Sequence, residues 1–290
     1  MKIAAVYGNG KFGLSFEIFP PKSDAGEAQL FAALETLMIF CPSFVSCTYG
    51  AGGATRDRTL ELTVKISKTF GVTTAAHRTC VESTEEEIRQ WLKKATDQGI
   101  ENIIALRGDP PKGQAVFRKP EGGLAYANEL VALIHREFPH FGVAVAGYPE
   151  THQEAPSPEV DLANLKRKVE AGADAVITQL FYDNADFLEF RTRYKKAGIV
   201  APLIPGILPV INVGQVQRIA SLCGARLPAS FLADLQQYRD DPNRQLEVGV
   251  QYAIRQCQAL LDAGIPGLHF YVLNKAEAPC RILEALKLPR

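Results

Sequence analysis

The sequence predicts an α/β protein, a (β/α)8 TIM barrel that takes residues 1–290 as a single domain. Three observations point there. Eight short runs of apolar or β-branched residues alternate with longer helix-like stretches. Glycine closes four of those stretches just ahead of a run, at Gln98-Gly99-Ile100, Ala171-Gly172-Ala173, Ala197-Gly198-Ile199 and Ala263-Gly264-Ile265; a left-handed turn at each returns the chain to the sheet. No Gly-x-Gly-x-x-Gly follows the first run, which disfavours the main alternative, an open doubly wound sheet with a dinucleotide site.

In chain order the runs are Gly13–Phe19, Phe44–Thr48, Thr73–Thr79, Asn102–Arg107, Gly142–Tyr148, Ala175–Leu180, Leu203–Leu208 and Leu268–Leu273. Their nearly continuous apolar character suits parallel strands covered by helices. Amphipathic segments lie between them, including Glu27–Ile39, Glu85–Gln98, Asp161–Ala171 and Val248–Ala263. Ser83-Thr84-Glu85-Glu86 gives the second of these a start resembling a capping box. The connection from Leu208 to Leu268 is too long for one helix and should hold two or three, with Cys223–Pro228 and Arg239–Arg244 as loops.

Composition narrows the function classes. Apolar residues make up 47%, and the 32 basic residues balance the 32 acidic ones. With no long basic run, neither a nucleic acid nor a membrane surface is expected as partner, although a few groups suffice to bind a phosphate. None of the six cysteines sits at a C-x-x-C spacing, so reduced thiols in a cytoplasmic protein are expected. Met1 to Lys11 lacks a basic stretch followed by an apolar one, and no transmembrane run occurs. The five histidines include no i, i+4 pair, so no metal is expected. A Gly-x-Ser-x-Gly or Walker loop is also missing, which argues against hydrolases and kinases.

In a barrel of this kind the loops at the carboxyl ends of the strands build the site. Glu17 lies inside the first run, where a carboxylate is costly unless paired, protonated or functional. Burial would raise its pKa and suit a general acid; a structural ion pair is the alternative. The second run ends in Cys47-Thr48-Tyr49-Gly50-Ala51, the third reaches His77, and the fourth gives Arg107-Gly108-Asp109. Arg107 and Asp109 could clamp a ligand or pair with each other. The fifth run ends in Tyr148-Pro149-Glu150 with His152 beyond. Asp161, Asn164 and Lys168 share one helix face with Arg167 at its edge. Their spacing fits a solvated face better than a pyrophosphate site.

Taken together, Ser-Phe-Glu-Ile-Phe-Pro-Pro, Thr-Tyr-Gly-Ala, Ala-His-Arg-Thr-Cys, Ala-Leu-Arg-Gly-Asp, Gly-Tyr-Pro-Glu-x-His, Asn-Leu-Lys-Arg-Lys, Ile-Thr-Gln and Pro-Gly-Ile-Leu-Pro resemble the 5,10-methylenetetrahydrofolate reductase family, in order from about residue 13 to residue 275. Any one motif is unspecific; eight in order are not. The resemblance implies a homo-oligomeric barrel that binds FAD, takes hydride from NADH or NADPH, and reduces methylenetetrahydrofolate to 5-methyltetrahydrofolate. It implies that Glu17 is the general acid and that Asp109 stabilises the cation formed and tunes the flavin. Gln179, Gln215 and Lys275 fall on folate-binding positions. Thr48, Tyr49, Ala51, His77, Arg107, Gly108, Asp109, Tyr126, Ala127, Tyr148, His152, Ala155, Asp161, Asn164, Arg167 and Lys168 fall on flavin positions, and the ambiguous helix face then reads as a pyrophosphate and ribose site.

The chain also departs from the family pattern. Lys275 stands where many bacterial relatives have Arg, and Ile219 where some have a stacking Phe; the insert around Gln114–Gly122 is longer than in some relatives. The chain ends soon after the last run, so no regulatory domain and no allosteric inhibition by S-adenosylmethionine are expected. Two rivals are an aldolase-type barrel with Lys275 as Schiff base and a non-catalytic folate or flavin binder.

Overall fold

Alternate residues of each apolar run face opposite sides of a sheet, and in this chain both sides are covered. A computed structural model describes residues 1–7, 10–49, 56–110, 113 and 117–289, without the side chains of residues 56 and 57. A short helix α1 (Ile3–Val6) precedes β1 (Gly13–Ile18), α2 (Asp24–Leu37), β2 (Phe44–Cys47), α3 (Arg56–Phe70), β3 (Thr74–Thr79), α4 (Glu85–Asp97) and β4 (Asn102–Leu106). There follow α5 (Ala127–Glu137), β5 (Gly142–Gly147), α6 (Pro158–Glu170), β6 (Ala175–Thr178) and α7 (Asn184–Lys196). The last part holds β7 (Leu203–Ile204), β8 (Gly206–Ile207), α8 (Val213–Cys223), α9 (Ala229–Gln237), α10 (Pro242–Asp262), β9 (Gly267–Tyr271) and α11 (Glu277–Ala285).

All strand pairings are parallel, in the order β7-β6-β5-β4-β3-β2-β1-β9-β8. β7 and β8 are one predicted run divided at Pro205. The first half pairs with β6 and the second with β9, so the sheet closes on itself as an α/β barrel. Proline has no N–H for the ladder, yet its carbonyl accepts from His269 N at 3.1 Å. Gly206 N, displaced from the ladder, donates instead to Thr178 Oγ1 at 2.9 Å.

The helix ends follow their sequence signals. The four glycines that were expected to return the chain to the sheet have φ between 69° and 117°. The capping box of α4 pairs Thr84 with Glu87. Pro158 and Pro242 open α6 and α10 beside the caps Ser157 and Asp241. Three helices fill the connection before β9, as the length of that stretch required.

Two apolar layers hold the barrel. Outward residues such as Phe16, Val45, Ile103, Val145 and Val176 pack against the helices. Their inward neighbours Phe44, Ala75, Ile104, Ala144, Ala175, Ile177 and Ile204 fill the interior together with Ile3, Val6 and Tyr7 of the leading segment. Ile3 N donates to Asn102 Oδ1 at 2.7 Å, at the start of β4, so α1 closes the amino end of the barrel. The carboxyl ends of the strands lie at the opposite end. Among the described residues no helix is long and apolar enough to cross a membrane.

Candidate active site

Glu17 lies one residue before the end of β1, and the alternation that sends Phe16 and Ile18 outward turns its side chain into the barrel. Its Oε2 stands 3.3 Å from His77 Nε2 on β3 and 3.4 Å from His269 Nε2 on β9. Burial by itself would raise the carboxyl, as the sequence predicts. The field of His77 and contacts with both imidazoles outweigh burial and hold it at about 2. In the open mouth Glu17 is therefore a carboxylate, which corrects the expectation of a carboxyl tuned toward neutrality by burial alone. The ring of His269 is anchored on its far side, where Nδ1 meets Ser15 Oγ at 2.7 Å. Tyr271 leans edge-on against it and donates its hydroxyl to the Thr178 carbonyl at 2.7 Å. This crossing requires Gly206, because a Cβ there would lie 2.2 Å from that carbonyl and 2.7 Å from the Tyr271 ring.

Around this centre the sequence-predicted residues take definite places. Arg107 does not pair with Asp109; its two terminal nitrogens donate to Glu154 at 2.5 and 2.8 Å. Asp109 is exposed at the rim, where its charge acts on Tyr148 and Cys223. Gly108 takes a φ of 91° and packs on Val81. Tyr49 accepts from Arg78 Nη1 at 3.2 Å, and the backbone of Thr48 pairs with Ile18 O and Thr59 Oγ1. Tyr126 is exposed and caps α5, which starts at Ala127. Ala51 lies outside the described residues.

The helix face on α6 is not a uniformly solvated one. Asn164 and Arg167 are exposed and joined at 2.6 Å. Lys168 is half-buried, with its Nζ donating to the Ala146 carbonyl at 2.5 Å and 5.9 Å from the Tyr148 ring. Burial pulls its ammonium down to about 8, while Asp161 acts the other way. Asp161 accepts from His152 N at 3.1 Å, and Ala155 N donates to His152 O at 2.8 Å. His152 packs edge-on against Tyr148 at 4.7 Å. Burial, helped by Arg107, lowers its imidazole pKa. Asn164 and Arg167 thus share a contact in the later half of α6, while Lys168 of its last turn reaches back to the β5 backbone.

The folate positions are more dispersed. Gln179 follows β6 and is half-buried, its Oε1 accepting from Leu180 N at 2.9 Å. Gln215 is exposed in the first turn of α8. Lys275 is exposed at the lip of a cavity of about 210 Å³, which Pro209, Ile211, Asn243, Tyr271 and Leu273 also line. That cavity flanks the mouth and shares Tyr271 with it. Two further groups fit a ligand-binding interior: Ser46, in register with Glu17, and Thr79, two residues beyond His77, bury hydroxyls that have no partner among the described residues.

Sequence reasoning assigned no role to Ser15, Glu154, His269 or Tyr271. Ser15 and Glu17 are two apart on β1, as are His269 and Tyr271 on β9, so each pair shares a face. That spacing was the available signal, but it became informative only once β1 and β9 were neighbours.

Among known proteins, the chain matches the family described as methylenetetrahydrofolate reductase over residues 2–287. It is 39% identical over 297 residues to methylenetetrahydrofolate reductase (NADH) 1 of Arabidopsis thaliana, covering 99% of this chain and 50% of the relative. With the 5,10-methylenetetrahydrofolate reductase of Escherichia coli strain K12 it shares 40% identity over 277 residues, covering 96% of this chain and 91% of the relative. The chain thus spans about half the length of the plant relatives it matches. Among solved structures it is similar to an uncharacterized protein from Clostridium thermocellum that binds two copies of 5-methyl-5,6,7,8-tetrahydrofolic acid, with a TM-score of 0.64, 16% identity, and coverage of 97% and 96% of the two chains. At that identity the likeness shows the fold alone.

Proposed function

Because the chain belongs to the methylenetetrahydrofolate reductase family, we propose that it reduces 5,10-methylenetetrahydrofolate to 5-methyltetrahydrofolate as an FAD-dependent enzyme. The donor is NADH or NADPH, the cycle is ping-pong, and the product supplies methyl groups for methionine synthesis. The observation that carries this reading is the carboxylate of Glu17 inside the barrel mouth, between two imidazoles.

FAD, when bound, carries the hydride from nicotinamide to folate, which leaves the protein to bind, orient and move a proton. Lys168, Arg167 and Asn164 are the groups suited to its pyrophosphate, with His152 and Asp161 beside them. Gln179, Gln215 and Lys275 are assigned to the folate, Lys275 meeting its acidic tail as a single charge rather than a bidentate fork. Glu17 gives a proton to the folate nitrogen whose bond to the methylene carbon breaks, and the bonding pair moves to that nitrogen. The iminium left behind is a cation, and Asp109 at the rim stabilises it by Coulomb attraction. Glu17 must first gain its proton. Binding of substrate beside Glu17 would exclude the water that solvates the carboxylate and so drive its pKa upward.

The test is optical. The purified protein should carry a flavin spectrum, bleach anaerobically with NADH, and recover on adding methylenetetrahydrofolate. Glu17→Gln should slow the recovery by roughly 10²–10⁴-fold and leave the bleaching unchanged. Absence of flavin binding, or equal losses in both half-reactions, overturns the reading.

A further inference from the structure

β1 and β9 pair with Ser15 opposite His269 and Glu17 opposite Tyr271, so one wall of the interior carries all four side chains. His269 is fully buried, with Phe44 stacked on it at 6.1 Å. Both of its nitrogens are engaged, Nδ1 with Ser15 Oγ at 2.7 Å and Nε2 with Glu17 Oε2 at 3.4 Å. A neutral imidazole carries one proton, and the partner of one nitrogen decides where that proton sits. The Ser15 hydroxyl has His269 Nδ1 at 2.7 Å and the Leu268 carbonyl at 3.5 Å within reach, with the Tyr7 hydroxyl as a further neighbour. The shorter contact takes the hydroxyl proton. Ser15 then donates to Nδ1, and the imidazole proton stays on Nε2, directed at Glu17 Oε2.

His77 Nε2 stands 3.3 Å from that same oxygen. Oε2 is thus flanked by two imidazoles. Oε1 takes part in neither contact. We infer that Ser15 and His269 are positioning residues that keep Glu17 Oε2 an acceptor and so confine the transferable proton to Oε1, the oxygen that neither imidazole contacts. This rests on the reading of Glu17 as general acid. In that step the Oε1–H bond breaks, the proton joins the folate nitrogen, and the new carboxylate retains its Nε2–H donor on Oε2. Without the Ser15 hydroxyl only the 3.4 Å contact with Glu17 Oε2 favours the proton on Nε2, and that preference lapses when the carboxyl is protonated. The Nδ1–H tautomer makes Nε2 an acceptor and draws the carboxyl proton to Oε2, away from the substrate. The ionisable groups facing this unit are His77 on β3, Cys47 on β2, and His269 and Tyr271 on β9, with Tyr7 beside Ser15.

Nitrogen-15 NMR of histidine-labelled protein, with His269 assigned through His269→Asn, reads the tautomer without any turnover. Protonated Nε2 is expected in the parent protein and in Ser15→Thr, and a shift toward protonated Nδ1 in Ser15→Ala. Ser15→Ala should also slow flavin re-oxidation by methylenetetrahydrofolate about tenfold or more and change its pH profile, with reduction by NADH within about twofold of the parent; Ser15→Thr should restore the rate. Protonated Nδ1 in the parent protein overturns the inference, whatever the variants do. So does a Ser15→Ala protein that keeps protonated Nε2 and an unchanged pH profile. A parent protein that binds no flavin or ignores the folate sinks the functional reading instead, while the NMR result still decides the tautomer.

Discussion

Glu17 and Lys168 show how burial acts on single charges in this barrel. Burial raises a carboxyl and lowers an ammonium. For Glu17 the two imidazoles reverse the outcome and hold it at about 2. The stability this pairing contributes is present above the ordinary carboxylate range and is lost as pH falls toward 2. For Lys168 nothing nearby reverses it, and the ammonium falls to about 8. Its charge is thus fully present below that value and lost as pH rises through it. If Lys168 meets the FAD pyrophosphate, affinity for added FAD, read by quenching of flavin fluorescence, should hold near pH 7. It should then weaken as pH rises above about 8, by up to tenfold per unit. Lys168→Met should bind weakly with no such dependence. An affinity that stays flat from neutrality through the alkaline range would remove Lys168 from the phosphate site. The residue list itself was readable, since Glu17, His77, Arg107 and Lys168 stand out by type and place. Their partners were not, because Glu154 and His269 reach them from distant parts of the chain.

At the scale of elements, caps and glycines were legible because they act within a few residues. The Thr84–Glu87 box and the glycine returns fall at or within a residue of where local chemistry puts them. The division of the seventh run at Pro205 was less so; a proline in a strand signals a break, but only the closing pairs show that the two halves join different neighbours. Gly249 carries a constraint of the same long-range kind. It lies inside α10, where a Cβ would approach Val210 O to 1.8 Å. Helix propensity favours Ala at such a position, yet here backbone occupies the space. Gly249→Ala should therefore destabilise by about 1–3 kcal/mol through overpacking, seen as a lower denaturant midpoint. A midpoint equal to or above the parent's would mean that α10 moves away from the loop at little cost.

At the scale of the whole molecule, the barrel is closed at its amino end. α1 supplies the floor, with Ile3 wholly buried among the inward residues of the strands. This closure leaves the carboxyl ends of the strands as the place where polar groups can meet a ligand, as the fold generally requires. Ile3→Ala should cost about 2–5 kcal/mol of unfolding free energy, as a cavity in a packed layer does. Ile39→Ala, at a side chain that is 75% exposed, should change it by less than about 0.5 kcal/mol. Comparable midpoints for the two variants would show that α1 is not part of the cooperative barrel.

What the sequence determined alone was the alternation of strands and helices, the closed α/β architecture, and the polar residue at each strand end. These follow from periodicity and turn chemistry, which are properties of neighbouring residues. The tertiary structure decided that Glu17 sits as a carboxylate between His77 and His269, that Arg107 is spent on Glu154, and that an unremarked leading segment seals the barrel. Those outcomes depend on groups 47 to more than 250 residues apart, or on the N-terminus meeting β4 and β5. Electrostatic environment is set by distance in space, and no spacing along the chain encodes it.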